Sequence, residues 1–286
     1  MRYLVLGATG TVGSAVVDEL LARGEEVRAP SRSAERLDEL PDAVEGVVGD
    51  LTDPSTYGDL FAGVDRLFLL NPVSPDELHQ GLAAVEEARE AHADRVVHLS
   101  VHRADAGARI PHFASKLAVE RALDASGLPH TVLRPNNFFQ NDLWLREPIA
   151  EHGVYPQPIG GVGLSRVDVG DIAEAAANAL TADVNPGGIV PLVGPDALTG
   201  ADCARIWSEA LGREVAYGGD DLDAWAEAAR EDLPGWMVWD FRLMYRMFQR
   251  EGLAASESDL AVTREILGRE PTSFAEWARE TAEGWG

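Results

Sequence analysis

The chain has 286 residues, of which 45% are hydrophobic and 25% are charged, a balance typical of a globular protein with a sizeable core. Its formal net charge of −24 at pH 7 argues against nucleic acid and anionic membranes as partners, because no basic patch could dominate such a field. The single cysteine, Cys203, excludes an intramolecular disulfide and a cysteine-based metal site.

The first element is a β-prone run at 3–6 that leads into three glycines spaced three residues apart. An amphipathic helical pattern follows at once. A strand, a glycine turn and a helix in this order suit the pyrophosphate of a dinucleotide, because the backbone can approach the phosphates and the free N–H groups of the helix attract negative charge. We therefore expect a dinucleotide to contact Gly7, Thr9, Gly10, Thr11, Val12 and Gly13.

Strands and helices then alternate through the first half of the chain. The strands are predicted at 26–29, 44–48, 66–70, 95–100 and 130–135, and the helices at 34–40, 54–61, 75–91 and 111–126. Apolar strands that alternate with helices predict a parallel sheet covered on both faces, and right-handed crossovers make it doubly wound. The predicted fold is thus an α/β Rossmann fold, which binds ligands at the carboxyl ends of its strands.

The pattern loosens after residue 136. Helices are predicted at 168–180 and 198–211, a strand at 188–193, and mostly helix from 220 onward. We predict an NAD(P)-binding Rossmann domain over 1–155 and, over 156–286, a smaller and mostly helical substrate-binding part that returns to the sheet near 165–195. The strand pattern begins at residue 3 and no apolar run reaches the length of a membrane span, so we expect no signal peptide, no membrane partner and a cytoplasmic protein.

The strand ends predict which cofactor binds. NAD sites place an acidic residue about twenty residues after the glycines. This chain has Arg28, Ser31, Arg32 and Ser33 there, and a guanidinium with hydroxyls suits the 2′-phosphate of NADP. We predict NADP, with NADPH preferred over NADH, bound by Ser31 and Arg32. Asp50 can accept from the adenine amino group or cap a turn. The predicted cofactor site also includes Leu51, Asn71, Pro72, Pro135 and Asn137.

The catalytic prediction starts from the only lysine of the chain, Lys116, which stands among twenty-three arginines. Such a composition indicates that this lysine does something that arginine cannot, since its charge is compact and its three donors rotate. His112 lies four residues earlier on the same helix face, and Ser100 ends the fifth strand. We expect Ser100, His112 and Lys116 to converge beside the nicotinamide. The structural alternative is a solvated Lys116 and a Ser100 that caps its strand.

Ser100 and several segments together resemble a known family: 7–13, 49–51, 115–116 and 131–138. With 190–199 and 273–277, they are similar to the NmrA-like group of atypical short-chain dehydrogenase/reductases, which includes triphenylmethane reductases, quinone reductases and isoflavone-reductase-like enzymes. The resemblance implies that Lys116 hydrogen-bonds the nicotinamide ribose. Ordinary members carry a proton-donating tyrosine four residues before the lysine, where this chain has His112. Members without the tyrosine either remain reductases or only bind the dinucleotide and report redox state to a partner.

We therefore predict an NADP-dependent oxidoreductase that reduces a small apolar molecule, such as an aromatic, quinone, carbonyl or imine compound. His112 would be the acid near neutral pH. One alternative is a non-catalytic NAD(P)-binding redox sensor that binds a protein partner. Another is an enzyme that runs a dehydration, epimerisation or isomerisation with the cofactor retained.

The predicted substrate contacts lie after the fifth and sixth strands and in an aromatic C-terminal segment: His102, Asn136, Phe138, Trp236 and Trp239. Aromatic side chains suit a flat substrate, although such a cluster is also typical of a core or of a homodimer face. No metal site is predicted, because the seven histidines show no ligand spacing with acids.

Overall fold

The fold was analysed from a computed structural model, which describes residues 1–285. Its strands are β1 (Arg2–Val5), β2 (Glu26–Ser31), β3 (Glu45–Val48), β4 (Arg66–Leu69), β5 (Arg95–Leu99), β6 (His130–Pro135), β7 (Val154–Tyr155), β8 (Ile189–Leu192) and β9 (Ala216–Tyr217). Its α-helices are α1 (Thr11–Ala22), α2 (Ala34–Leu37), α3 (Tyr57–Phe61), α4 (Glu77–Glu90), α5 (Pro111–Ser126), α6 (Val169–Thr181), α7 (Gly200–Leu211), α8 (Leu222–Ala229), α9 (Gly235–Glu251), α10 (Glu257–Leu267) and α11 (Phe274–Glu283).

The main sheet has seven strands in the order β3-β2-β1-β4-β5-β6-β8, and neighbouring strands from β3 to β6 run parallel. This order reverses direction at β1 and β4, so the prediction of a doubly wound parallel sheet is confirmed. β2 continues through Pro30 to Ser31, beyond its predicted end. The proline is tolerated because the pairing with β1 ends at Arg28, while the pairing with β3 reaches Ser31.

Two predicted helices are shorter in the structure. The helix predicted at 34–40 is the single turn α2, and that at 54–61 is a 3₁₀ turn (Pro54–Thr56) followed by α3. Asp53 begins the 3₁₀ turn by accepting a hydrogen bond of 3.0 Å from the backbone N–H of Ser55. These connections are short because neither contains enough apolar residues to bury a longer helix.

The chain forms two compact units. The first consists of Met1–Ala108, His112–Arg134 and Val169–Val190, and the second of Arg109–Pro111, Pro135–Asp168 and the chain from Pro191 onward. In the first unit, α6 packs against α1, and apolar residues of α3, α4 and α5 form a buried cluster with β1, β4 and β5. The predicted division at residue 155 stays a prediction.

Two buried arginines hold the C-terminal end of α6. Arg66 donates to the carbonyl of Leu180, and Arg95 donates to those of Ala179 and Ala182 at 2.8 Å. The last carbonyls of a helix lack partners within the helix and carry partial negative charge, so guanidinium groups stabilise them. Burial and the neighbouring positive charge of Arg66 lower the pKa of Arg95.

The second unit has a buried polar centre formed by Asp142 and Arg166. Both side chains are fully buried and their closest N–O distance is 2.7 Å. Burial opposes the charge of Arg166, yet the Asp142 carboxylate holds the pKa of Arg166 well above its usual range. Asp142 also accepts hydrogen bonds from Gln157 (2.7 Å) and Trp207 (2.9 Å). Among residues 1–285, no helix is both long and apolar enough to cross a bilayer.

We expect Asp142→Ala to lower the free energy of unfolding by about 3–5 kcal/mol, because Arg166 would remain buried without a counter-charge. Chemical denaturation followed by circular dichroism measures the difference. The exposed Asp196→Ala is the control, with an expected change within about 0.5 kcal/mol. Equal unfolding free energies for the two variants would contradict the stabilising role of this centre.

Candidate functional site

The glycines between β1 and α1 each meet a local requirement. Gly7 has a φ of +75°, which favours glycine, and its carbonyl accepts a 2.9 Å hydrogen bond from the N–H of Gly10. A Cβ on Gly13 would collide with the backbone of Gly7 and Ala8, so only glycine lets α1 lie against this loop. Gly10 precedes α1 and offers no capping side chain to the first N–H groups of the helix. This arrangement suits a phosphate.

The other predicted residues of this loop differ in their exposure. Thr11 is exposed at the start of α1, Thr9 is half-buried, and Val12 is buried in the core. The side chain of Val12 therefore packs in the core, and only its backbone, in the first turn of α1, is assigned to the cofactor.

The arginines of the second strand and the segment after it have different surroundings. Arg28 is buried, pairs with Glu45 at 2.7 Å, and donates to the carbonyls of Asp59 (3.0 Å) and Ala62 (2.8 Å). These contacts occupy the guanidinium group of Arg28, which stabilises the packing of β3 and of the segment 59–62 beside β2. Arg32, by contrast, is exposed. Ser31 is buried, and its hydroxyl accepts a 3.3 Å hydrogen bond from the N–H of Ser33.

Arg36 lies against the glycine loop, a placement that the sequence analysis missed. Its Nη2 donates to the carbonyl of Thr9 at 3.3 Å, and 53% of its side chain is exposed. The sequence signal that could have identified Arg36 is its position four residues after Arg32, in the segment where a 2′-phosphate is expected.

After β3, Asp50 makes a local turn. Its Oδ1 accepts from the backbone N–H and the hydroxyl of Thr52, both at 2.8 Å. This geometry matches the turn-capping alternative that the sequence left open. Leu51 is half-buried and packs on the core of the first unit, while its carbonyl accepts from the Tyr57 hydroxyl at 2.7 Å.

After β4, Asn71 is buried without hydrogen bonds to its side chain. It is 3% exposed, and neither its Nδ2 nor its Oδ1 has a hydrogen-bond partner. A buried amide in this state costs about 1–3 kcal/mol, which a polar ligand could offset. The preceding Leu70 packs over Gly7, since a Cβ on Gly7 would lie 3.0 Å from its side chain. Pro72 is exposed.

Lys116 is buried in α5 and pairs with a carboxylate that the sequence analysis did not identify. Its Nζ lies 2.9 Å from Oε1 of Glu77, in the first turn of α4, and the two side chains are 10% and 3% exposed. The alternative of a solvated Lys116 is therefore wrong. No local pattern relates Glu77 to Lys116, because the pair joins two different helices.

Two histidines lie near this lysine in the sequence or in space. His112 is buried in the first turn of α5, and its ring meets that of Phe113 edge-on at 4.8 Å. His98 is buried within β5, with Nδ1 3.1 Å from the carbonyl of Leu69. Burial, together with the positive charge of Lys116, lowers the pKa of His98 to about 3. His98 is therefore neutral at neutral pH and cannot act as an acid there.

Ser100, directly after β5, belongs to a buried charge network. Its hydroxyl donates to Glu120 of α5. Arg134 of β6 binds both oxygens of Glu120, at 2.9 and 2.6 Å, and also pairs with Asp105 at 2.8 Å. Ser100 and Lys116 thus each contact a different carboxylate. His102, two residues further on, is buried.

The segment after β6 is organised by Arg166. Its Nε donates to Oδ1 of Asn137 at 3.0 Å, and its Nη2 donates to the carbonyl of Phe138 at 2.8 Å. Asn136 is buried and donates to the carbonyl of Leu253 at 2.7 Å, while its Oδ1 accepts from the N–H of Asn137. The side chain of Asn136 therefore stabilises the backbone at Leu253 and Asn137. Asn137 and Phe138 are only half-buried.

The remaining predicted residues differ in accessibility. Pro135 is buried at the end of β6. Trp236 and Trp239 lie in the first turns of α9 and are 38% and 57% exposed. Within residues 1–285, no group of three or more His, Cys, Asp or Glu side chains could hold a metal ion.

Comparison with known proteins gives full-length matches. The model of the NmrA-like family matches residues 2–278. The chain is 30% identical to an NAD(P)H azoreductase of Xenophilus azovorans over 287 residues, covering 99% of both chains. It is also 30% identical to the (4-alkanoyl-5-oxo-2,5-dihydrofuran-3-yl)methyl phosphate reductase of Streptomyces griseus, covering 99% of this chain and 98% of that protein.

Solved structures share the fold. The triphenylmethane reductase of Citrobacter sp., complexed with NADP(H), superposes with a TM-score of 0.85 at 24% identity, covering 99% of this chain and 100% of the other. An NADPH-dependent quinone oxidoreductase of Escherichia coli, complexed with NADPH, gives 0.87 at 22% identity, covering 98% and 99%.

His98 should make the fold sensitive to acid. The unfolded chain binds a proton at an ordinary histidine pKa of about 6.5, and the folded chain binds it only near 3, so stability falls as the pH drops between these values. From pH 7 to pH 5, the loss assigned to His98 is about 2 kcal/mol. Urea unfolding at both pH values should show a smaller loss for His98→Asn, which keeps a donor for Leu69. The exposed His79→Asn is the control, and a similar acid sensitivity of His98→Asn and the wild type would contradict the assignment.

Proposed function

We propose an activity from one premise: this chain belongs to the NmrA-like family, as its motifs predicted. It is an NAD(P)H-dependent oxidoreductase, in agreement with the prediction, since two full-length relatives are named reductases. The alternative of a non-catalytic redox sensor gains no support from them. The finer proposal is that NADPH reduces a small apolar quinone, carbonyl, imine or azo compound. The observation that supports it is the burial of Lys116, whose ammonium group pairs with Glu77.

The described residues fit a nicotinamide dinucleotide. The loop 7–13 offers uncapped helical N–H groups to the pyrophosphate, and the unpaired amide of Asn71 offers both a donor and an acceptor. Arg32 and Arg36, both exposed, are assigned to the 2′-phosphate. Lys116 is assigned to the ribose of the nicotinamide nucleotide. When bound, NADPH supplies a hydride.

The protein must then handle one proton and the negative charge that develops on the substrate. Lys116 is assigned to that charge: its ammonium group pairs with Glu77 and has further N–H donors that can bind the developing negative charge. His112 is assigned as the acid, one helical turn from Lys116. Ser100 remains a predicted substrate contact, although its hydroxyl donates to Glu120 in this structure.

Substrate contacts are assigned as predicted to His102, Phe138, Trp236 and Trp239. The predicted contact through Asn136 is not carried forward, because its side chain holds the backbone of Leu253 and Asn137. The exposure of the two tryptophans supports their availability to an aromatic molecule. The arrangement as a homodimer stays a prediction, since exposed aromatic residues are also typical of interfaces.

Replacing the lysine should strongly slow turnover. We expect Lys116→Ala to lower kcat by about 10²–10³-fold, the usual cost of removing one electrostatic stabiliser. NADPH oxidation is followed with a panel of quinones, aldehydes, imines and azo compounds. Lys116→Arg keeps a charge without the compact ammonium, and Arg121→Ala, on the same helix with a side chain 71% exposed, is the control.

The proposed reduction would be wrong if the protein bound NADPH tightly, turned over no compound of the panel, and lost nothing in Lys116→Ala. Product formation without net loss of NADPH would instead favour a reaction with the cofactor retained.

The arginine assignment predicts the cofactor preference. Loss of a charge-assisted hydrogen bond should weaken NADPH binding about 10–100-fold in Arg32→Ala, in Arg36→Ala, or in both, with little change for NADH. Fluorescence titration gives both dissociation constants. Arg89→Ala, an exposed arginine of α4, is the control. If NADH binds to the wild type as tightly as NADPH, and neither variant changes this, the preference is wrong.

A further inference from the structure

Glu77 and Lys116 form an ion pair that is almost completely buried, with 2.9 Å between Oε1 and Nζ. Taking two charges out of water is costly, and a well-packed apolar pair of similar volume is often as stable. Stability alone therefore does not account for this pair. We look for its role in the position that it gives to the Lys116 ammonium group.

The helix packing beside the pair allows it to form. Glu77 and Gly81 lie one turn apart on α4, and they face Lys116 and Val119, which lie one turn apart on α5. A Cβ on Gly81 would run into the side chain of Val119. The glycine thus lets the two helices approach closely, and this approach brings the Glu77 carboxylate within reach of the ammonium group.

A second observation near the pair points to a ligand. The side-chain amide of Asn71 is buried without hydrogen bonds, and its Oδ1 lies 3.3 Å from where a Cβ on Gly81 would be. Asn71 follows β4, and Glu77 begins the helix after that strand. The group that would satisfy Asn71 therefore lies at the edge where doubly wound sheets bind ligands.

We propose, on the premise of the proposed function, that Glu77 is the positioning residue that orients Lys116 toward the ribose of the nicotinamide nucleotide. A lysine side chain has many rotamers, and fixing it has an entropic cost. Because the ion pair already orders the Lys116 side chain when the protein folds, little further side-chain entropy is lost when the cofactor binds.

The first test reads the lysine directly, without cofactor. Because Lys116 is the only lysine, ¹⁵N-lysine labelling gives a single side-chain Nζ signal. We expect a protected, well-resolved signal in the wild type, its loss by exchange with water in Glu77→Gln, and its return in Glu77→Asp, which keeps the carboxylate. Glu45→Gln, which removes an ion pair to the buried Arg28 at the amino end of β3, is the matched control and should leave the signal unchanged.

The second test measures the consequence for the cofactor. Glu77→Gln should weaken NADPH binding and lower kcat, each by about 10–100-fold, with a smaller change in KM for a quinone. Glu77→Asp should recover part of both losses, and Glu45→Gln should show neither. Measurements are made below the unfolding temperature of each variant, so that lower stability does not imitate the effect.

Two results would overturn the assignment of Glu77. Either the Nζ signal is the same in wild type and Glu77→Gln, or the signal is lost while NADPH affinity and kcat stay at wild-type values. A wild type that binds no NADPH at all would instead refute the proposed function, and Glu77 would lose its assigned role with it.

Discussion

The need to neutralise buried positive charge determines how both units of this protein are built. A buried cation without a partner is unstable, and an acidic chain offers many carboxylates to supply one. Arg66 and Arg95 bind the carbonyls at the end of α6, Arg134 binds Glu120 and Asp105, and Arg166 binds Asp142. The contacts of Arg66 and Arg95 join strands to a helix that lies more than 80 residues away in the sequence, so they also stabilise a long-range packing.

Lys116 differs from these arginines because its ammonium group has three N–H donors that can rotate. The guanidinium of Arg134 or Arg166 is planar and is held by several groups at once, which fixes it as a structural element. An ammonium paired with one carboxylate can still turn its other donors toward a ligand. Both kinds of cation need a counter-charge when they are buried. The arginines are fixed by several hydrogen bonds, whereas Lys116, paired with one carboxylate, keeps N–H donors that a ligand can accept from.

The features predicted correctly from the sequence are those that depend on neighbouring residues. The glycine loop between β1 and α1, and the alternation of strands and helices, follow from spacing within a few residues, as at Gly7 and Gly13. The partners of buried charges could not be predicted in this way. Glu77 and Lys116 are 39 positions apart, and Arg166 reaches Asn137 across another 29. Such pairs depend on how helices and strands pack, which a single sequence does not encode in any local pattern.

The surroundings of each polar group limit which residue can supply a proton during reduction. His98 is neutral, because burial and Lys116 lower its pKa to about 3. The Ser100 hydroxyl already donates to Glu120, so it could donate to a substrate only by breaking that hydrogen bond inside a charge network held by Arg134. Lys116 and His112 lie one turn apart on α5, and both are buried. We propose that His112, at the place of the family's tyrosine, supplies the proton to the product.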